Sequence, residues 1–160
     1  MKKEMNNKGF SLVELIIVIA IMAILIAVLA PQYLKYVERS RNSTDITNAT
    51  EIVSAIQVYA ADPEAAKHFT SDGATVQVSN TGGSVTGTDA DAMNAALSNA
   101  GITITDRRCS SKTKWEGYSI TAKAETTGEI TFTYSQTNGT AGAFENAMKG
   151  KQDAAASPTP

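Results

Sequence analysis

The sequence predicts an α+β protein: a long N-terminal helix whose outer half packs on a small antiparallel β-sheet. Three observations predict it. Leu15 to Leu34 runs twenty residues without a charge. Leu34, Val37, Ile46, Ala49, Val53, Ile56 and Ala60 then recur at spacings of three and four, with Ile52 and Tyr59 widening the stripe, which is one apolar face of a helix. Beyond Pro63, Tyr118 to Ala124 and Ile130 to Tyr134 alternate apolar and polar residues, the period of strands with one wet face.

Each element follows in order. The apolar run is long enough for a helix to cross the ~30 Å hydrocarbon layer. Pro31 interrupts it late and is expected to kink it. Glu38, Arg39, Arg41, Asp45 and Glu51 fall mostly off the apolar stripe. Ala61-Asp62-Pro63 stops the helix, because a proline disfavours helix in the residue before it. One helix is therefore predicted from Phe10 to Ala61. Glu64 to Phe69 reads as a short helical turn, Thr75 to Ser79 as a strand, and Asn80 to Gly87 as a Gly/Ser/Thr loop. Thr88 or Asp89 caps a helix through Asn99, ended by Gly101. Ile102 to Thr105 is a further strand, and Gly128 lies in a hairpin connection. Trp115 is out of phase with Tyr118, which a bulge at Gly117 would explain. A helix stripe and a one-sided sheet each need cover, and each is the other's nearest cover.

Composition narrows the function. With 14 basic and 16 acidic residues, the chain lacks the basic excess of a protein that neutralises phosphates. Arg107, Arg108, Lys112 and Lys114 form a weak patch, read as a solvated loop, so no direct nucleic-acid partner is expected. Cys109 is alone, which leaves no intrachain disulfide, and His68 has no partner at metal spacing. No cofactor or metal is expected. No catalytic constellation appears either. His68 is the sole base for a Ser/His/Asp arrangement, and Thr81-Gly82-Gly83-Ser84 lacks the Gly-Lys-Ser/Thr ending of a phosphate loop. Asp89-Ala90-Asp91 admits a calcium reading but fits a capped helix start better. The triplets at Asn42, Asn48 and Asn138 match the glycosylation pattern; the first two lie on the helix, and all three are discounted. Tyr33 and Tyr36 fit a membrane boundary and Tyr59 the core.

Glu14 stands near the start of the apolar run, and a carboxylate in hydrocarbon is expensive. Three readings of the segment compete. A secretory signal peptide would be cut after Val28-Leu29-Ala30, but Pro31 then follows the cut directly and Glu14 has no use. A plain membrane anchor explains length, and Lys2, Lys3 and Lys8 put its N-terminus inside by the positive-inside tendency; Glu14 stays unexplained. A cut after Gly9 would free the Phe10 α-amine, a cation about 6 Å along the axis from Glu14. In a bundle of axially displaced helices, one subunit's Phe10 amine would meet a neighbour's Glu14 and repay part of the desolvation.

Lys8-Gly9-Phe10-Ser11-Leu12-Val13-Glu14 and the apolar run resemble the prepilin signature of type IV pilins and of type II secretion pseudopilins. Pro31 and Tyr33 fall where many of these chains place a proline and an aromatic. The resemblance implies a type IV pilin-like fold and a prepilin peptidase that cuts between Gly9 and Phe10 on the cytoplasmic side and methylates the Phe10 amine. It implies Glu14 as the assembly residue. Residues 1–9 become a cleaved leader and 10–33 a transmembrane and filament-core helix. Residues 34–61 are its amphipathic continuation, 62–148 a globular β-rich head, and 149–160 a disordered tail. Cleavage leaves 11 basic and 15 acidic residues of the original 14 and 16. Many pilins close a C-terminal loop with two cysteines; this chain has Cys109 alone.

The function so implied is structural, not enzymatic: a type IV pilus subunit serving adhesion, motility or DNA uptake. Its partners are further copies in a helical homopolymer, the peptidase, the pilus assembly machinery and the cytoplasmic membrane. Its location is that membrane as a single-pass precursor, then an extracellular filament. Two alternatives stand: a pseudopilin of a type II secretion system, and a membrane-anchored binding domain that never polymerises.

Overall fold

The computed structural model describes residues 11–65 and 67–150. The predicted cleavage site at Gly9 and Phe10 and most of the predicted tail lie outside the described residues. The chain divides between Val37 and Glu38 into two units, each described by itself. Helix α1 (Leu12–Ala60) contributes to both and runs through Pro31.

In the first unit every described residue up to Tyr36 is exposed, including Leu15, Ile16, Ile24, Ile26 and Leu29. The segment is long and apolar enough to cross a membrane.

In the second unit α1 turns amphipathic. Its buried residues are Asp45, Ala49, Ile52, Ala55, Ile56 and Tyr59, a stripe that follows the helical repeat. The Thr44, Thr47 and Thr50 hydroxyls donate to the carbonyls of Ser40, Ser43 and Ile46, one turn back, where a mid-helix threonine satisfies its hydroxyl. The helix stops before Asp62-Pro63, where the Asp62 carboxylate accepts the Glu64 N–H at 2.9 Å.

Four antiparallel strands follow: β1 (Ala74–Ser79), β2 (Gly83–Gly87), β3 (Gly117–Ala124) and β4 (Ile130–Thr137), in spatial order β2-β1-β3-β4. Between β2 and β3 lie α2 (Ala90–Asn99) and a 3-10 turn η1 (Ile104–Asp106), and α3 (Ala143–Met148) follows β4. Val76 faces Ile120, and Ile120 faces Tyr134 across the ladders. Ala74, Val76, Val78, Tyr118, Ile120 and Ala122 point inward and are buried against Ile52, Ile56, Met93 and Leu97. On the wet face the Thr75 and Thr121 hydroxyls bond each other at 2.8 Å.

Several local expectations change. Asn80 to Gly87 is not all loop: Ser79 and Gly82 close a tight turn, and Gly83 to Gly87 pairs with β1 as an edge strand. Ile102 to Thr105 holds no strand; η1 occupies its end. Glu64 to Phe69 forms turns and bends in its described residues, not a helix. No bulge is needed at Gly117, because β3 pairs in unbroken register and Trp115 lies outside the strand. Helix α3 has too few residues for a readable period, and Phe144 holds it. Its ring stacks on Tyr118 at 4.5 Å between centroids and meets Trp115 edge-on at 5.3 Å.

Candidate functional site

At the start of α1 the Glu14 carboxylate accepts the Ser11 N–H at 2.9 Å. Ser11-Leu12-Val13-Glu14 thus forms one arm of a capping box, in which the third helical residue reaches back over the first turn. The carboxylate also sits where the helix dipole favours an anion. Glu14 therefore has a use within its own chain that spacing to Phe10 did not reveal, although the Ser-x-x-Glu pattern was there to be read.

The second constellation went unrecognised in the sequence. Asp45, expected mostly off the apolar face, is fully buried at the head of the buried stripe. The Ser110 and Ser111 N–H groups donate to it at 2.7 and 2.9 Å, the Trp115 indole Nε1 at 2.9 Å, and the Cys109 Sγ at 3.3 Å. Two turns earlier on α1, the Glu38 carboxylate accepts the Ser111 hydroxyl at 2.7 Å and the Lys112 and Thr113 N–H groups at 2.7 and 2.9 Å. Arg41 joins Glu38 at 3.5 Å. Two acids of one helix thereby hold the segment Cys109 to Trp115 mainly by its backbone donors. Burial would raise the Glu38 carboxyl, but the donors of Lys112, Ser111 and Thr113 outweigh it and bring it down to about 2. Burial, then the charge of Asp45, pushes the Cys109 thiol up to about 12. Both act opposite to thiolate activation.

A second ion pair extends the grip. Arg107 donates to Asn48 Oδ1 at 2.6 Å and to Glu51 Oε2 at 2.8 Å. At the other end of the segment the Gln136 amide donates to the Lys114 and Thr140 carbonyls, and accepts the Phe144 N–H at 2.8 Å. Gly139 (φ +80) is required there, since a Cβ would run into the Lys114 carbonyl.

The remaining candidate residues do not converge on a reactive site. Asp89 heads α2, but its side chain caps nothing. Its carboxylate takes the Thr70 N–H at 2.7 Å and the Gly73 N–H at 3.0 Å, fastening the α1–β1 connection. Asp91 is exposed and pairs loosely with Lys67 at 3.7 Å. His68 is exposed, and Cys109 is free and buried. Among the described residues no group of three His, Cys, Asp or Glu side chains is placed to hold a metal.

A capped apolar helix thus precedes an α+β unit along the chain. Residues 5–30 match the family model of the prokaryotic N-terminal methylation motif. Over 99 residues the chain is 40% identical to a type IV major fimbrial protein, FimA, of Dichelobacter nodosus, covering 61% of each chain. It is 33% identical to the type IV major pilin protein PilA of Myxococcus xanthus, over 42% of this chain and 30% of that one. Identity to a fimbrial protein of Pseudomonas aeruginosa is 47%, over 34% of this chain and 32% of the other. The chain thus spans less than two thirds of the length of each of these relatives. No solved structure matches. In its N-terminal motif, and over part of the length of its relatives, the chain is similar to type IV pilins, and its long helix followed by a small antiparallel sheet is consistent with their fold.

Proposed function

We propose that this chain is a structural subunit of a type IV pilus filament, inserted in the cytoplasmic membrane as a precursor and polymerised through its N-terminal helix. The observation that carries the reading is the methylation motif over residues 5–30, with Glu14 inside it at the head of an exposed apolar helix. A prepilin peptidase cuts between Gly9 and Phe10 and methylates the new amine. Gly9 serves the cut because a missing side chain lets a protease backbone approach closely. Phe10 then carries a cation, and Glu14 of a neighbouring copy receives it. Both charges are costly in an apolar filament core and cheaper as a pair. The subunit acts by contact, without catalysis of its own. Lys35, Arg39 and Arg41 follow the apolar run, as many cations as Lys2, Lys3 and Lys8 before it. Orientation with the N-terminus inside therefore rests on the cytoplasmic cut, not on a charge count.

The test is the N-terminal mass of the protein from its native cells together with negative-stain images of sheared cells. We expect a chain starting at methylated Phe10 and thin surface fibres that contain it. Gly9→Leu should leave the leader attached. Uncut, solitary chains would overturn the reading; a cut chain without surface fibres would favour a pseudopilin.

A further inference from the structure

We propose that Asn138 is a site of spontaneous deamidation by the Gly139 backbone nitrogen, and that the conversion releases the Lys114 end of the segment from Cys109 to Trp115. Asn138 is the chain's one asparagine followed by glycine. A glycine has no Cβ, so its nitrogen stays open to the preceding side chain. Both residues are exposed, and both stand at positive φ, +54° and +80°. Among the described residues the Gly139 N–H donates to no acceptor. Asp72-Gly73, the chain's one Asp-Gly pair, is the contrast. There the glycine is buried, and its N–H is held by the Asp89 carboxylate at 3.0 Å. Closure of a succinimide ring is thus obstructed at Asp72 and open at Asn138.

In the reaction the Gly139 nitrogen bonds to the Asn138 side-chain carbonyl carbon. The Cγ–Nδ2 bond breaks, and the amide leaves as ammonia with the proton of the Gly139 nitrogen. Water then opens the ring. Attack at Cγ yields aspartate, and attack at the main-chain carbonyl carbon yields isoaspartate. Ammonia leaves and water enters, with no oxidant or reductant. Neither product fits the native turn. Asn138 Nδ2 donates to Glu116 Oε2 at 2.7 Å, and an aspartate there sets a second carboxylate against the first. Isoaspartate lengthens the main chain by a methylene, where Gly139 already lies so close to the Lys114 carbonyl that a Cβ would collide. This turn is what grips Lys114. The Gln136 amide donates to the Lys114, Asn138 and Thr140 carbonyls at 3.2, 3.0 and 2.7 Å. The Thr140 N–H donates to the Lys114 carbonyl at 2.9 Å. A turn displaced at Asn138 cannot keep these bonds together, so the segment loses the latch at the end away from Glu38.

The test incubates the full chain in detergent micelles at mildly alkaline pH, folded or in denaturant, and maps isoaspartate and aspartate by peptide fragmentation. We expect both products at position 138, formed in the folded chain within roughly tenfold of the denatured rate, because a surface turn opens locally. Isoaspartate at Asp72 should be slowed by folding at least about tenfold more than that. Amide exchange of Thr140 and Phe144 should quicken in step with conversion, while exchange in β1 and β3 stays constant. Asn138→Gly keeps the positive φ and removes the reacting amide. Its exchange should not change over the same incubation. A folded chain that stays unconverted at Asn138 while the denatured chain converts overturns the proposal. Conversion without faster Thr140 exchange overturns the release, as does the same quickening in Asn138→Gly.

Discussion

Asp45 decides more than any other single residue. It accepts two backbone N–H groups and the indole of the chain's one tryptophan. Removing it leaves those donors buried and unpaired, each at about 1–3 kcal/mol. Asp45→Ala should therefore destabilise the Glu38-onward unit by at least about 3 kcal/mol, a fall in Tm on the order of 10 °C, read by Trp115 fluorescence of the full chain in detergent micelles. Asp45→Asn should recover part of this, since it keeps an acceptor but turns an amide N–H toward a donor. A loss below about 1 kcal/mol in the alanine variant would refute the role. Cys109 supplies a second test. With its thiol pushed up to about 12 by burial and by Asp45, it should react with a disulfide reagent at pH 8 far more slowly than the same chain in denaturant. Asp45→Ala should restore much of the rate, because both the charge and the cover are lost. Neither role was legible. Asp45 reads as polar surface on any hydropathy pattern, and only the loop folding over it makes it core.

At the scale of elements, the segment Cys109 to Trp115 has no ladder of its own and is held by what α1 offers it. Glu38 anchors one end, and its carboxyl lies at about 2 against an ordinary 4.5. A folded value below the unfolded one adds stability at neutral pH that is lost on acidification from about 4.5 downward. Loop docking, followed by amide exchange of Ser111 to Thr113, should hold constant from pH 7 to 5 and weaken between about 4.5 and 2. In Glu38→Gln the same amides should exchange faster at pH 7 and lose most of that acid dependence. An unchanged acid limb in the variant would place the titration elsewhere. Regular elements were legible where a period ran long enough: α1 by its stripe, β3 and β4 by alternation, α2 by its turn-to-Gly101 length. The edge strand β2 was not, since Gly83, Ser84 and Gly87 carry no strand preference, leaving Val85 and Thr86 too short a run to read, and the segment pairs because β1 presents its free side. Helix α3 was missed because six residues held by Phe144 give no period.

For the whole molecule, the question is what Glu14 does. Its motif was legible and its neighbour-facing role follows from the resemblance, but the bond to Ser11 gives a rival explanation: a cap that starts the helix. Two substitutions separate them. Glu14→Ala removes both cap and charge; it should leave the loop grip of Glu38 and Asp45 untouched and membrane insertion undiminished, since an acid has left the apolar segment. Filament yield at equal subunit level should fall on the order of tenfold or more, as the Phe10 amine would enter the core unpaired. Glu14→Gln keeps an acceptor for the Ser11 N–H and loses only the charge. If capping is what matters, glutamine restores filaments; if pairing with the amine of another copy matters, glutamine fails as alanine does. We expect failure, counted as fibres sheared per cell and normalised to membrane-bound subunit. Wild-type yield from the glutamine variant would leave Glu14 as a cap and take away the physical reason for polymerisation in fixed register.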